Sequence, residues 1–276
     1  MSEQWEGDRP GDSPGAPPGG ELTAPSSSGS GWATPSTPAP GAREPGDAWS
    51  SPDAAAARPQ KVPIDDMPTA GTRIAPFMEE LASDAPTPGG GAWAAVSAAA
   101  GASLIAMVAR LTVKKKGFED VAERMGEIAD ECDDERFALL ALADRDAEAY
   151  QDVMGAYKLP KNTPEEQHVW SVTLQKSLER AADIPLEVAR RSVYLMALAE
   201  ETLTSGNPNA ASDALSAAAS LHAAALAALA NVDINAITFI DKTRQQELAD
   251  SANSLRHRAQ SILRDVSEAF FIAVRA

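Results

Sequence analysis

The chain contains very little cysteine, histidine and aromatic residue for its length. Of 276 residues, one is cysteine, three are histidine and 5% are aromatic. Cys132 can form no internal disulfide and has no cysteine or histidine at metal-ligand spacing, so a small apolar residue on a helix is favoured over a reactive thiol. The three histidines, His168, His222 and His257, are far apart in the sequence. We therefore expect no metal site.

Positive charge is also scarce. There are 24 lysines and arginines against 40 acidic residues, which gives a formal net charge of -16. A nucleic-acid-binding protein normally presents a basic face, and an anionic membrane surface would repel an acidic chain. The sequence also has no charged start followed by an apolar stretch typical of a secretory signal, and no segment that we expect to reach transmembrane length. We expect a soluble cytoplasmic protein that binds neither nucleic acid nor membranes.

The first 70 residues lack any apolar periodicity. They are rich in proline, glycine, serine and alanine, so burial cannot offset the loss of chain entropy, and we predict a disordered tail over residues 1–70. From residue 71 to 276 the composition changes to alanine, leucine, glutamate and arginine with a 3.6-residue period. No alternating run of β-branched residues suggests a sheet. The prediction is an all-α chain whose second part is a single bundle domain of six or seven helices.

The helix boundaries can be predicted from caps and breakers. Thr163, Pro164 and Glu166 form the pattern of a capping box, and Pro185 is expected to kink or split the helix that follows. Thr243 with Gln246 is expected to cap the last helix. The predicted helices cover residues 74–82, 92–112, 118–143 and 144–157 (which could be continuous), 164–203, 210–229 and 243–274.

Two segments flanking the second predicted helix could bind a ligand. Gly89, Gly90 and Gly91 place flexible backbone amides at the helix start, which suits an anion or a polar ligand edge, although a tight interhelical turn is the simpler explanation for three glycines alone. The lysines at 114–116 follow the helix end. They either complement its exposed carbonyl groups or bind a small anionic ligand.

Carboxylates and amides are concentrated in three further segments. Residues 144–150 hold three carboxylates beside an aromatic residue, so one of them could act as a general acid or base if burial raised its pKa, whereas a solvated charged face is the simpler alternative. Residues 206–213 form a polar loop that leads into an apolar helix and could simply cap it. Residues 231–235 interrupt an apolar stretch with two amides and a carboxylate, which would be costly to bury without partners.

Six strings in order make the sequence resemble the cyclodeaminase domain of formiminotransferase-cyclodeaminase and the bacterial methenyltetrahydrofolate cyclohydrolases. The likeness covers residues 74–270. Its carriers are residues 86–91 (Pro-Thr-Pro-Gly-Gly-Gly), 111–112 with the lysines that follow, 146–150, 159–166, 206–209 with 212–213, and 231–235. This chain departs from the family pattern at Lys114 and Gly117, and Trp170 occupies a position where an arginine is common.

The resemblance implies an all-helical homodimer with a folate-binding cleft. It implies a catalytic aspartate that best matches Asp146, with Asp144 as the nearby alternative. Three lysines become candidates for binding the folate carboxylates: Lys115, Lys116 and Lys161. The glycine loop (Gly89, Gly90, Gly91) and five polar residues become candidates for the pterin end or its supporting shell: Asn207, Asn209, Asp213, Asn231 and Asn235.

The resemblance leaves two reactions open. One converts formimino-tetrahydrofolate to methenyl-tetrahydrofolate and ammonia, and the other hydrolyses methenyl-tetrahydrofolate to formyl-tetrahydrofolate. Both would use a carboxylate as general acid and base, with the tetrahydrofolate derivative as substrate and no further cofactor. The alternative is a non-catalytic folate-binding or helical interaction module derived from this family, for which Trp170 and the altered lysine run are the support.

Overall fold

The fold was obtained as a computed structural model, which describes residues 74–239 and 241–275. The predicted tail, residues 1–70, lies outside the described residues. The six α-helices in the described part are α1 (Ile74–Leu81), α2 (Gly90–Val113), α3 (Ala122–Tyr157), α4 (Pro164–Ser205), α5 (Ala211–Ile237) and α6 (Lys242–Arg275), with 3₁₀ turns at Glu119–Val121 and Pro208–Ala210. These residues contain no strand, so the predicted all-α class is confirmed.

The two alanine-rich helices α2 and α5 form the centre of the bundle. They pack against each other, α3 covers α2, and α4 packs along α5 and also contacts α2 and α3. A Cβ atom at Gly101 would lie only 2.6 Å from Cγ of Leu221, so the backbones of α2 and α5 approach more closely there than any other residue would permit. Because small residues let α2 and α5 pack closely, the longer helices can surround this central pair.

Two helices are long and apolar enough to cross a membrane by length and composition alone. They are Gly90–Val113, with 61% of its apolar window buried in the bundle, and Pro208–Ile237, with 44% buried. The sequence-based expectation that no segment reaches this length is therefore wrong. The central helix of a folded bundle is apolar on most sides for the same physical reason as a membrane span, and here both helices pack against neighbours within the domain.

Local sequence signals set most helix ends. At the start of α4, Thr163 Oγ1 accepts from the backbone N–H of Glu166 and the Glu166 carboxylate accepts from the N–H of Thr163, both at 3.2 Å, so the capping box is confirmed. Pro185 does not split α4, which continues for 42 residues. At α6 the carboxylate of Asp241 accepts from the N–H groups of Thr243 and Arg244. The predicted cap at Thr243 is therefore wrong, because Asp241 provides a better-placed acceptor.

Cys132 lies on α3 with no exposed surface. Burial raises the pKa of its thiol to about 12, and the neighbouring carboxylates of Glu131 and Glu135 add to this effect. This agrees with the prediction of a small apolar residue on a helix, because a thiol in such surroundings stays protonated at neutral pH.

Candidate active site at the start of α2

A cavity of about 330 Å³ lies beside the N-terminus of α2, enclosed by α3, α4 and α5. Five of the residues predicted from the sequence to bind ligand line it, together with the predicted catalytic Asp146. Its lining consists of Pro86, Thr87, Gly89, Gly90, Gly91, Asp146, Ala149, Tyr150, Val153, Tyr157, Leu178, Ala181, Asn231, Asn235 and Thr238. A larger groove of about 770 Å³ between α3 and α4 is lined mainly by charged side chains and contains none of the predicted site residues.

Asp146 is the acidic side chain of this cavity. Burial raises the pKa of its carboxyl group, and interaction with the backbone N–H of Ala92 partly offsets the rise. Ala92 is the third residue of α2, where a backbone N–H has no carbonyl partner within its own helix. The carboxylate is therefore held at the positive end of the helix dipole while its surroundings favour the protonated form. A carboxyl group balanced in this way can both accept and return a proton.

Gly91 makes room for this carboxylate. A Cβ atom at position 91 would lie 2.5 Å from Cγ of Asp146 and would overlap its oxygen atoms as well. Glycine is thus required by the close approach between α2 and α3, not by an unusual backbone conformation. At Gly90 the constraint is weaker, since an added Cβ would lie 3.3 Å from Nδ2 of Asn231.

Asn231 and Asn235 lie on the cavity side of α5, one helical turn apart. Nδ2 of Asn231 donates to the carbonyl of Ala227 in its own helix at 2.9 Å, and Nδ2 of Asn235 donates to the carbonyl of Ala181 in α4 at 2.6 Å. Both amide NH₂ groups thus have backbone partners, which removes the cost of burying them. The predicted end of this helix at residue 229 is wrong, because α5 continues through residues 231–235 to Ile237.

Tyr150, Tyr157 and Thr238 are among the cavity residues that had no role assigned to them from the sequence. Tyr150 and Tyr157 lie four and eleven residues after Asp146 on α3, a spacing that places them on the same helix face, so the helical period could have identified them. Thr238 follows the last residue of α5, and its hydroxyl donates to the carbonyl of Asn235 at 2.6 Å. No pattern in the sequence marked this residue.

The remaining predicted ligand-binding residues lie elsewhere. Lys115 and Asn207 meet at the far end of α2, where Nζ of Lys115 donates to Oδ1 of Asn207 at 2.6 Å, and the N–H of Asn209 donates to the same oxygen at 3.0 Å. The backbone N–H of Asn207 donates to the hydroxyl of Thr112 at 2.9 Å. With 24 residues in α2 and a rise of about 1.5 Å per residue, this cluster lies about 36 Å from the cavity in one chain.

Four further predicted residues do not line the cavity. Asp144 is exposed and lines a separate hollow of about 290 Å³ beside α1, on the other side of the Thr87–Pro88 segment. Lys161 lies in the loop between α3 and α4, with Nζ 4.2 Å from the centre of the Trp170 ring. Lys116 is exposed beyond the end of α2, and Asp213 is half-buried in the first turn of α5. In the described part of the chain, no group of three or more histidine, cysteine or acidic side chains could hold a metal ion.

The arrangement defines a helical-bundle enzyme site with one half-buried carboxylate. The family model of formiminotransferase-cyclodeaminase matches residues 73–254. The chain belongs to this family, and the prediction of an enzyme of this kind is confirmed.

Individual relatives agree with this assignment. The chain is 40% identical over 174 residues to a methenyltetrahydrofolate cyclohydrolase of Methylorubrum extorquens, covering 63% of this chain and 84% of that protein. It is 33% identical over 189 residues to the formimidoyltransferase-cyclodeaminase of Rattus norvegicus, covering 68% of this chain and only 34% of the larger rat protein. The crystal structure of a formiminotetrahydrofolate cyclodeaminase from Thermotoga maritima is similar with a TM-score of 0.65 at 34% identity, covering 72% of this chain and 95% of that one.

Proposed function

We propose that this chain hydrolyses methenyl-tetrahydrofolate to formyl-tetrahydrofolate in the cavity at the start of α2. The observation that carries the proposal is the half-buried carboxyl group of Asp146, whose pKa is raised and which faces a cavity large enough for a heterocyclic ring system. The identity of 40% with a methenyltetrahydrofolate cyclohydrolase, over most of both chains, favours this reaction among those of the family. We expect no cofactor besides the folate substrate, and a cytoplasmic location.

In this reaction, water adds to the methenyl carbon, which bears the positive charge of the amidinium. Asp146 as a carboxylate takes a proton from the attacking water and then returns it to the ring nitrogen whose bond to that carbon breaks. The hydroxyl formed from the water loses its remaining proton to solvent as it becomes the carbonyl oxygen, and the formyl group remains on the other nitrogen. A correctly placed carboxyl group of this kind contributes roughly 10²–10⁴-fold to the rate.

The cyclodeaminase reaction is the second candidate. It is supported by the structural similarity to a formiminotetrahydrofolate cyclodeaminase. There the anilino nitrogen attacks the formimino carbon and ammonia leaves, so Asp146 would move a proton from the attacking nitrogen to the leaving amine. One carboxyl group with the same placement can serve both reactions, because each transfers a single proton between two nitrogen or oxygen atoms on the same carbon.

We further propose that the active protein is a homodimer in which each cavity is completed by the other copy. In one chain, Lys115 and Asp146 cannot touch the same small ligand, since the length of α2 separates them. The exposed side chains on α2 include Trp93, Met107 and Leu111, at 38%, 39% and 44% exposure, along one face of the helix. If two copies pack antiparallel on this face, Lys115 of one copy approaches the cavity of the other, where its ammonium group can bind a folate carboxylate.

The test is ultraviolet absorbance of the methenyl chromophore with the purified full chain. Faster loss of methenyl-tetrahydrofolate than in the buffer control supports the hydrolase, and formation of the chromophore from formimino-tetrahydrofolate with release of ammonia supports the deaminase. Asp146→Asn should lower kcat by about 10²–10⁴-fold in whichever reaction occurs. Binding of tetrahydrofolate with neither reaction would instead support the non-catalytic module.

A further inference from the structure

Pro185 occupies an unusual position in the interior of α4. It is buried, with 21 helical residues before it and 20 after it in the 42-residue helix. Proline has no backbone N–H, so the carbonyl of the residue four positions earlier, Ala181, loses its helical partner. A proline at such a position destabilises a helix unless the freed carbonyl is bonded in another way.

The freed carbonyl of Ala181 accepts a hydrogen bond from a side chain of the cavity. Nδ2 of Asn235, on α5, donates to the carbonyl oxygen of Ala181 at 2.6 Å, and both residues line the cavity that contains Asp146. Only the NH₂ group of an asparagine can donate to a carbonyl, so this bond also fixes the orientation of the amide. Oδ1 of Asn235 is then left as a hydrogen-bond acceptor.

Two neighbouring side chains, Asn231 and Thr238, also have an oxygen atom that remains a hydrogen-bond acceptor. Asn231 uses its NH₂ group on the carbonyl of Ala227, which leaves Oδ1 as an acceptor. The hydroxyl of Thr238 donates to the carbonyl of Asn235, so its oxygen is an acceptor as well. Each amide NH₂ group retains a second N–H, but the three oxygen atoms and the Asp146 carboxylate give this side of the cavity several acceptors for ligand N–H groups.

We propose that Pro185 is a positioning residue for ligand recognition: by freeing the Ala181 carbonyl, it holds Asn235 with an acceptor available to the ligand. The inference rests on the proposed function, in which the amino and ring N–H groups of a pterin are the donors. Pro185 itself touches no substrate in this account. It acts through one carbonyl and one amide.

Four variants test the proposal: Pro185→Ala, Asn235→Ala, the double variant, and Pro164→Ala as a matched control. Pro185→Ala restores an N–H that competes with Asn235 for Ala181, so KM for the folate substrate should rise about three- to tenfold, the range of one neutral hydrogen bond. kcat should stay within about twofold because Asp146 is untouched. Pro164 begins α4, where no helical N–H is missed, so Pro164→Ala should leave KM unchanged.

The double variant separates positioning from a general structural effect. If Pro185 acts through Asn235, adding Pro185→Ala to Asn235→Ala should raise KM no further, whereas an independent structural role would make the two effects multiply. Unfolding temperature should be unchanged or higher in Pro185→Ala, since a helix-breaking residue has been removed. An unchanged KM in Pro185→Ala, or multiplying effects in the double variant, would overturn the proposal.

A measurement on the ligand-free protein tests the coupling between Pro185 and Asn235 independently of the proposed function. In the side-chain amide spectrum of ¹⁵N-labelled protein, the Asn235 NH₂ resonance should shift in Pro185→Ala and stay in place in Pro164→Ala. If the wild-type chain neither binds nor converts a folate, the proposed function and the pterin assignment fail, while this shift still decides whether Pro185 controls Asn235. An Asn235 resonance identical in wild type and Pro185→Ala would overturn the coupling itself.

Discussion

The backbone of Gly91 lies directly against the carboxylate of Asp146, so closely that an added Cβ would overlap it. We therefore expect Gly91→Ala to displace the carboxylate by about an ångström and to lower kcat by roughly 10²-fold, because misplacement of this size disrupts the reacting geometry. Steady-state kinetics of the folate reaction measure this. Gly90→Ala is the control, since its Cβ meets only the amide of Asn231 at 3.3 Å and should affect KM more than kcat. Equal kcat values for the two variants would contradict the assignment.

Replacing Asp146 with asparagine should stabilise the protein near neutral pH. Burial raises the pKa of this carboxyl group above its unfolded value, so the stability it contributes is present below the unfolded pKa and is lost as pH rises through the folded pKa. Asparagine never ionises and can still accept from the N–H of Ala92. Thermal unfolding should show a higher midpoint for Asp146→Asn at pH 7 and a difference that vanishes as pH falls below about 4. A lower midpoint at pH 7 would mean that the ionised carboxylate stabilises the fold.

Mixing two impaired variants should raise activity above that of either alone if the cavity is completed across a dimer. Asp146→Asn removes the carboxylate and Lys115→Ala removes the lysine at the other end of α2. In an equal mixture that exchanges subunits, about a quarter of all sites would combine an intact Asp146 with an intact Lys115 from the partner copy. Light scattering should first show a dimer. Either a monomer, or a mixture no more active than its components, rejects the shared site.

Gly101 should be intolerant of any side chain. Gly101→Ala places a methyl group 2.6 Å from Leu221 and forces α2 and α5 apart, so the free energy of unfolding should fall by about 1–3 kcal/mol. Gly126→Ala, in α3, is a matched control because no atom lies within 4 Å of its added Cβ. That variant should gain roughly 0.5–1 kcal/mol from higher helix propensity. Denaturant unfolding compares the two, and a destabilised Gly126→Ala would show that propensity is not the deciding term there.

The thiol of Cys132 should be inert in the folded protein. Burial raises its pKa to about 12, so almost no thiolate exists at neutral pH. A chromogenic disulfide reagent should react with about one thiol per chain after denaturation and with almost none before it. Rapid reaction under native conditions would indicate that α3 opens locally.

Much of the fold could be predicted because its signals are local. The capping box at Thr163 and the 3.6-residue periodicity depend only on neighbouring residues, and they define α4 and the all-α class. The errors occur where a distant partner decides. α5 continues through Asn235 because that amide finds the carbonyl of Ala181 in another helix. α4 continues through Pro185 because the Ala181 carbonyl, which the proline leaves without a helical N–H partner, accepts from Asn235 instead.

The sequence predicted several residues of the candidate site but not how they are arranged in space. The sequence marked Gly91, Asp146 and Asn235, and the cavity contains all three. It placed Lys115 after the far end of the second helix, but it could not show that Asn207 lies there as well, because that contact depends on how the loop after α4 is arranged in space. Nor could it decide which of Asp144 and Asp146 faces the cavity. The two side chains point in directions about 200° apart on the helix, but the sequence alone does not show which direction leads to the cavity.

The contact between Asp146 and the N–H of Ala92 gives the site an internal reporter. This peptide proton belongs to the first turn of α2, whose amides ordinarily exchange freely with solvent because they have no carbonyl partner. Its chemical shift and exchange rate therefore depend on whether the carboxylate is ionised, on whether Gly91 leaves it in place, and on whether a ligand has drawn it away. One backbone resonance can thus follow titration, misplacement and occupancy of the catalytic group.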